Sequence, residues 1–596
     1  MNSNPFEFKY PDDIDPKDVI DLFVPVFGEY YNVPKSGHTF INGARGSGKS
    51  MMFRYMKPDC QVLVDNEGRY LEVKRDIHDI DYFSIYIPIK KGHLNITDIN
   101  INDTHGEALL NEHFMTLHFS MCIFKELKDI KFEDNSINIS SFLEFYNIKF
   151  CKYLKYAGYY GDIKLSKAES LIEIFDKIIE VFREINADFQ HNYIKKLIGS
   201  KEPLPYNGVL LLYSDFLYEI LKEIRNLPFM PSKPIFLLID DADELSIIQR
   251  KILNSWVAMR TTIEVSLKIS TQLKYKIFQT INDSRIDTPH DYSEVNINDI
   301  YTTKKDLYYQ RIEQIVTKRL QKYNFSKSSP SEFFPENKKQ AELILQLKNK
   351  YIQEQIDSGK TEPQAYDFAY RYTIPDYIKN LQGNRYTYSY SGFKQLVNVS
   401  SGIIRVFIDF ASEMFVSQIS ENGSDKVEFI KDSIQDKVIK KVSGKVIESE
   451  FDKYREEASD KKDMDKLRNL ILGMGGLFME IIKSNASERR VFSIALNDEP
   501  DDELRRILDL GIQHGYLQKS MIGNKYGTGK ARLYILSRLL APHFVLDPSS
   551  FAGYKFMNSE ILKISLVDPK KFIRKLASNI KGIEDNTQPT LFDKMQ

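Results

Sequence analysis

Gly43-Ala44-Arg45-Gly46-Ser47-Gly48-Lys49-Ser50 is a glycine, four residues, then Gly-Lys-Ser, the spacing of a loop that cradles phosphates. Glycines at 43, 46 and 48 let the backbone curl until its N–H groups converge on phosphate oxygens, where a side chain would hinder the turn or the approach. Lys49 supplies a point charge for the β- and γ-phosphates, and Ser50 offers a hydroxyl to Mg²⁺. Outward from the loop, residues 38–42 read as a short strand and residues 51–56 as the first turns of a helix. The positive end of that helix faces the phosphates. Gly43, Ala44, Arg45, Gly46, Ser47, Gly48, Lys49 and Ser50 are therefore the expected nucleotide-binding residues.

A second stretch fits the first. Ile235-Phe236-Leu237-Leu238-Ile239 is followed by Asp240-Asp241-Ala242-Asp243-Glu244. Five uninterrupted apolar residues suit a strand buried on both faces of a parallel sheet, and acids at its C-terminal end lie where open α/β sheets bind ligands. Asp240 is expected to hold Mg²⁺, and Asp241 to polarise the attacking water. The competing reading, an acidic start to the next helix, loses weight once a phosphate loop precedes it. Residues 265–269 form the next expected strand, ending in Ser270-Thr271-Gln272, a polar tip able to sense the γ-phosphate.

The 596 residues exceed one ordinary core and imply about three domains. Hydrophobic residues at 42% and charged residues at 28% are those of a folded protein. Lys plus Arg (82) nearly cancels Asp plus Glu (83), so any DNA contact must come from a local patch. Cys60, Cys122 and Cys151 have neither metal-ligand spacing nor a pairing pattern. The N-terminus reads as neither signal nor transit peptide, and no apolar run approaches the ~18 residues a membrane helix needs. A cytoplasmic protein without membrane contact is expected.

Further along, residues 83–89 alternate as a strand, with Pro88 suited to its end or to a sheet edge. Residues 106–127 and most of 138–226 read as helical, with His113 and His118 as ordinary helix residues. Tyr366, Tyr370, Tyr372, Tyr377, Tyr386, Tyr388 and Tyr390 are interleaved with Arg371, Lys379 and Arg385. Such a pattern can stack on single-stranded bases, but packing is the better reading. Ser400 or Ser401 is expected to cap a helix carrying Arg405 in its first turns. A cation there opposes the helix dipole and calls for an anion such as phosphate. Residues 421–463 read as exposed charged helices and linkers. An apolar helix at 464–483, a strand at 491–494, a helix at 501–513 and a glycine-rich hairpin over 516–536 have the order of a winged helix. The polar tail carries Gln588, Leu591 and Phe592, with the spacing of a bacterial sliding-clamp-binding peptide.

The order of parts resembles AAA+ ATPases. GARGSGKS matches Walker A, LLIDDADEL Walker B, the ISTQ stretch the first sensor and SSGIIR the second-sensor arginine of a helical lid. With the C-terminal winged helix, the chain is most similar to the origin-recognition-complex initiator clade. In particular it resembles bacterial relatives often linked to phage-defence or mobile-element loci. The resemblance implies ATP-driven conformational switching, with Lys49 and Ser50 on phosphate and Mg²⁺, Asp240 on Mg²⁺, Asp241 as base, Thr271 as sensor and Arg405 reaching the γ-phosphate from the lid. It implies an α/β fold: an AAA+ P-loop core with a parallel sheet and helical insertion, a helical lid and a C-terminal winged helix. The expected divisions are an N-terminal adaptor (1–36), the core (37–310) with its insertion (about 100–226), the lid (311–420), a charged helical linker (421–463), the winged helix (464–560) and a tail (561–596).

Two departures qualify the resemblance. Asp241 is one methylene shorter than the usual Glu, so slow hydrolysis is expected. The interval between the two Walker motifs is long enough to hold an insertion that meets a partner. Arg260 and Arg285 are candidates for an arginine finger, with ordinary surface arginines as the competing reading. Two functions follow. One is a switch that binds DNA through residues 516–538, where Lys519, Lys525, Lys530, Arg532 and Arg538 are basic, although Asp501-Asp502-Glu503 would repel phosphates. The other is a STAND-like signalling ATPase whose insertion and winged helix bind a protein partner or effector. A homo-oligomer is compatible with either.

Overall fold

The period-two and all-apolar stretches become strands. In a computed structural model, β1 (Thr39–Asn42), β2 (Phe83–Pro88), β3 (Ile235–Asp240), β4 (Val265–Thr271) and β5 (Ser293–Asn296) form a parallel sheet in the order β2-β3-β4-β1-β5. The structure describes residues 4–7, 10–25, 28–90, 104–161, 163–197, 205–260, 263–272, 275, 277–297, 305–381, 387–423, 426–457, 460–484, 489–523, 530–550 and 553–577. Every residue of β3 and β4 is buried. β2 is an edge strand, so Pro88 costs no ladder bond on its open side. β4 lies between β1 and β3, which brings the C-terminal tips of the phosphate-loop strand, the polar-tipped strand and the acidic strand side by side.

The chain divides into two compact units, Lys9–Asn298 and Met1–Phe8 with Asp299–Gln596. In the first, the helical stretch between the Walker motifs is no appendage. Phe119, Ile123, Phe124, Phe175, Phe182 and Phe216 share one continuous core with Phe83, Ile85 and Ile87 of β2. Glu112 fastens this core by accepting from Trp256 Nε1 (3.1 Å) and from the Tyr213 N–H (3.2 Å). His113 Nδ1 accepts the Leu211 N–H at 2.9 Å, and burial holds its imidazole down at about 4, so His113 serves as a neutral core acceptor. The insertion therefore spends its inner apolar faces on the sheet itself.

In the second unit, helices Lys305–Lys322, Phe393–Val399, Ile404–Asn422 and Asp432–Ile447 pack in succession, and a helical hairpin, Lys338–Asp357 and Glu362–Asn380, packs on Lys461–Lys483. Several expectations are corrected there. The 421–463 stretch is not an exposed linker: Ile434, Val438, Ile439 and Phe451 are buried. The buried Gln435 side chain joins Gly392 N–H to the carbonyls of Pro335 and Ile430. Ser400 and Ser401 do not cap the Arg405 helix, whose N-cap is Ile403 without a side-chain bond. Instead the Ser400 hydroxyl donates to Val397 O, and Ser401 Oγ accepts the Arg538 N–H. The tyrosines pack: Tyr388 and Tyr390 are buried, Tyr390 donates to Ala541 O and Leu546 O, and Arg489 and Arg490 lie over the rings of Tyr372 and Tyr370. The N-terminal adaptor is split. Phe6 packs on Phe333 and Phe334 in the second unit, whereas Val19 and Ile20 pack with Cys60 and Val64 in the first.

The C-terminal part of this unit is built on the apolar helix Lys461–Lys483 and a sheet of β6 (Val491–Leu496), β7 (Leu517–Gly523), β8 (Lys530–Leu536) and β9 (Gly553–Met557), ordered β7-β8-β6-β9. β9, parallel to β6, is an addition to the sequence reading. So are helices Ser559–Val567 and Pro569–Ala577, which close against Lys461–Lys483, so part of the expected tail is folded. Lys525, Arg385, Tyr386 and the tail residues Gln588, Leu591 and Phe592 lie outside the described residues. Among the described residues no helix is long and apolar enough to cross a membrane.

Candidate functional site

The glycines of the loop do what the spacing requires. Gly46 (φ +84°) and Gly48 (φ +102°) occupy the left-handed region, where a β-carbon is strained. A β-carbon on Gly43 would stand 2.7 Å from Ser47 Oγ and 3.3 Å from Ile297 Cβ. The loop is tied to the sheet by the Gly43 N–H, which donates to Thr271 O at 3.1 Å. The helix Lys49–Met56 starts directly from Gly48, placing Ser50 in its first turn. Lys49 is buried, and Nζ turns back to donate to Gly43 O (2.7 Å) and Ala44 O (3.1 Å). Burial pushes its ammonium down, while Asp240, Asp241 and Asp243 hold it up. The buried Ser47 hydroxyl has no hydrogen-bond partner among the described residues, a polar atom aimed into a cradle without its acceptor.

Opposite stands the acidic group. Asp240 is buried at the end of β3, where Oδ1 accepts from the Ser270 hydroxyl and from the Asp241 N–H (3.2 Å), and Oδ2 from the Tyr86 hydroxyl (3.0 Å). Asp241 sits on a left-handed residue, φ +57°, with its N–H also donating to Ser270 Oγ at 3.1 Å. Its carboxyl is pushed up to about 6 by partial burial and then by Asp240 and Asp243, with Lys49 and Lys90 opposing. Asp243, also buried, accepts the Gln272 N–H at 3.1 Å and so ties the tip of β4 to the acidic turn. Three carboxylates beside one lysine leave a surplus of negative charge, and the oxygen donors of Ser50 and Asp240 are of the kind that suits Mg²⁺. The glycine cradle, the Ser47 hydroxyl and this donor set fit a nucleotide with Mg²⁺.

Sequence reasoning chose Thr271 as the polar tip, but the side chain that touches the acidic pair is Ser270. Thr271 Oγ1 donates to Asn42 Oδ1 of β1, and Asn42 Nδ2 donates to Glu294 at 2.6 Å. Tyr86, Ser270 and Asp243 were missed. Ser270 had a signal: Val265, Leu267 and Ile269 alternate with Ser266, Lys268 and Ser270, so Ser270 continues the polar face and Thr271 the apolar one. Tyr86 had none, because only the pairing of β2 with β3 brings it to Asp240.

The remaining predicted residues have partners of their own. Arg405, in the first turn of Ile404–Asn422 and 4.0 Å from Asp409, belongs to the other unit. Arg260 is exposed and paired with Asp291 at 2.7 Å, and Arg285 lies 3.5 Å from Asp287, both as surface arginines. The basic hairpin is weaker than its sequence suggests. Arg538 is buried, donating to Pro548 O and Ser550 O, and Arg532 is paired with Glu499 at 2.7 Å. The acids of the preceding helix are offset too: Lys563 meets Asp501 and Glu503, and Lys466 meets Glu503.

A family model described as ORC-CDC6-like matches residues 4–556. Among solved structures, the crystal structure of Cdc6p from Pyrobaculum aerophilum aligns over 95% of this chain and 99% of its own, at 11% identity and a TM-score of 0.27. No curated protein matches the chain.

Proposed function

The chain belongs to the ORC-CDC6-like family, and on that footing we propose that it binds ATP with Mg²⁺, hydrolyses it slowly and uses the cycle as a conformational switch acting on DNA. One observation carries the reading: a left-handed glycine loop with a buried lysine stands beside an acidic pair, held there by the neighbouring β4. When bound, the nucleotide would supply the phosphoanhydride bond, and Mg²⁺ the positive charge between its phosphates and the carboxylates. Lys49, which donates to the Gly43 and Ala44 carbonyls, would meet the β- and γ-phosphates. Ser50 and Asp240 would hold the metal, and Asp241 would take a water proton at its carboxylate. Thr271 keeps the β4 tip against β1. The short reach of an aspartate, rather than a glutamate, supports slow turnover.

A second reading is favoured by the charge on the winged helix. With Arg538 buried and Arg532 paired, the 516–538 hairpin has less free charge for phosphates, which suits a STAND-like signalling ATPase, in phage defence for example, that grips a protein effector. The assay is common to both. Lys49→Ala should abolish binding of a fluorescent ATP analogue, whereas Asp241→Asn should bind it and lose phosphate release. Equal phosphate release by Asp241→Asn and the parent would remove Asp241 from the mechanism.

A further inference from the structure

The helix Pro569–Ala577 carries Lys570, Lys571, Arg574 and Lys575 and no acid. All four are exposed. Their spacing, i, i+1, i+4 and i+5, gathers them on one side of the helix. The opposite side is spent: Phe572 is fully buried and Leu576 nearly so, against the apolar helix Lys461–Lys483. Gly473 of that helix permits the approach, since a β-carbon there would lie 3.3 Å from Phe572 Cδ1 and 2.8 Å from Ser565 Cβ. The flanking Asp568 is used as a cap, accepting the Lys571 N–H at 2.8 Å.

Arg574 and Lys575 in the last turn complement the helix dipole, but Lys570 and Lys571 in the first turn oppose it. We propose that this helix face is a docking surface for the phosphate backbone of double-stranded DNA. Three observations select that occupant. The apolar side is consumed inside the protein, so no amphipathic face remains to enter a membrane. The exposed side has no aromatic residue, since Phe572 is buried, and so lacks a platform for single-stranded bases. Protein interfaces are depleted of lysine and need apolar anchors, whereas lysine and arginine can contact phosphates without any apolar anchor. The inference rests on the DNA-acting reading above and moves its basic surface from the 516–538 hairpin to a helix that the sequence had left in the tail.

The test is fluorescence anisotropy of the full chain with a labelled duplex of arbitrary sequence, across a salt series. Four phosphate contacts give a slope of log K against log salt of about −3.6, or roughly a 100-fold loss of affinity between 50 and 200 mM salt. Lys570→Glu/Lys571→Glu/Arg574→Glu/Lys575→Glu should abolish that binding. The milder Lys571→Gln/Arg574→Gln should reduce the slope by about 1.8, guarding against a variant that fails to fold. Binding of a fluorescent ATP analogue should be unchanged in both. Duplex binding that survives the charge reversals overturns this surface but leaves the DNA-acting reading in place. Absence of any duplex binding overturns both. A preference for single strands, or for a polyglutamate peptide lost with the same substitutions, also overturns the assignment.

Discussion

Replacing Ser270 by alanine should damage hydrolysis more than replacing Thr271, although Thr271 is the residue that the motif resemblance favours. The Ser270 hydroxyl donates to the Asp240 carboxylate and accepts the Asp241 N–H. Its loss removes a hydrogen bond to a charged, buried group, a bond of about 2 kcal/mol. Partial compensation remains, since Tyr86 still donates to Asp240 Oδ2 at 3.0 Å and the Asp241 N–H keeps Asp240 Oδ1 at 3.2 Å, which is why a figure below the upper end of the range applies. If that energy holds the acidic pair in its reacting arrangement, the rate falls about 30-fold. Thr271→Ala loses a neutral bond to Asn42, worth about 1 kcal/mol, and should slow hydrolysis about 5-fold. Single-turnover conversion of radiolabelled ATP at saturating Mg²⁺ measures both, with calorimetric titration to separate binding from chemistry. Ser270→Thr, which keeps the hydroxyl, should recover most of the rate. Parental turnover by Ser270→Ala, or a larger loss in Thr271→Ala, would refute the reasoning.

Asp241, with its carboxyl raised to about 6, titrates near its ordinary value of about 3.9 when unfolded. Between those values the folded state binds more protons, so this group makes the protein less stable as pH rises from 4 to 6. Asp241→Asn in EDTA should therefore melt above the parent at pH 7, with the gap closing by pH 4, and a gap independent of pH would contradict the burial argument. For the tail, a pull-down of a bacterial sliding clamp by the intact chain, lost in Leu591→Ala/Phe592→Ala, is the expected outcome, and no capture at micromolar concentration ends the clamp reading.

What the sequence determined by itself is what contiguous residues can build. A phosphate cradle is one loop whose φ requirements are written in its glycines, as Gly46 and Gly48 confirm by their left-handed backbones. A strand buried on both faces is a run of apolar residues, and β3 with its terminal acids follows directly from Ile235–Asp240. The winged-helix order of helix, strand, helix and hairpin is likewise a matter of period and turn. Tertiary structure alone decided which side chains meet. Tyr86 reaches Asp240 because β2 pairs with β3. Arg538 looks like a surface cation in sequence and becomes a buried donor to the Pro548 and Ser550 carbonyls. The helices that close on Lys461–Lys483 were read as tail because their apolar residues find a partner only about a hundred residues upstream. Local pattern fixes backbone and face, but the partner across a face is chosen by packing between distant segments, and neither charge nor periodicity encodes it.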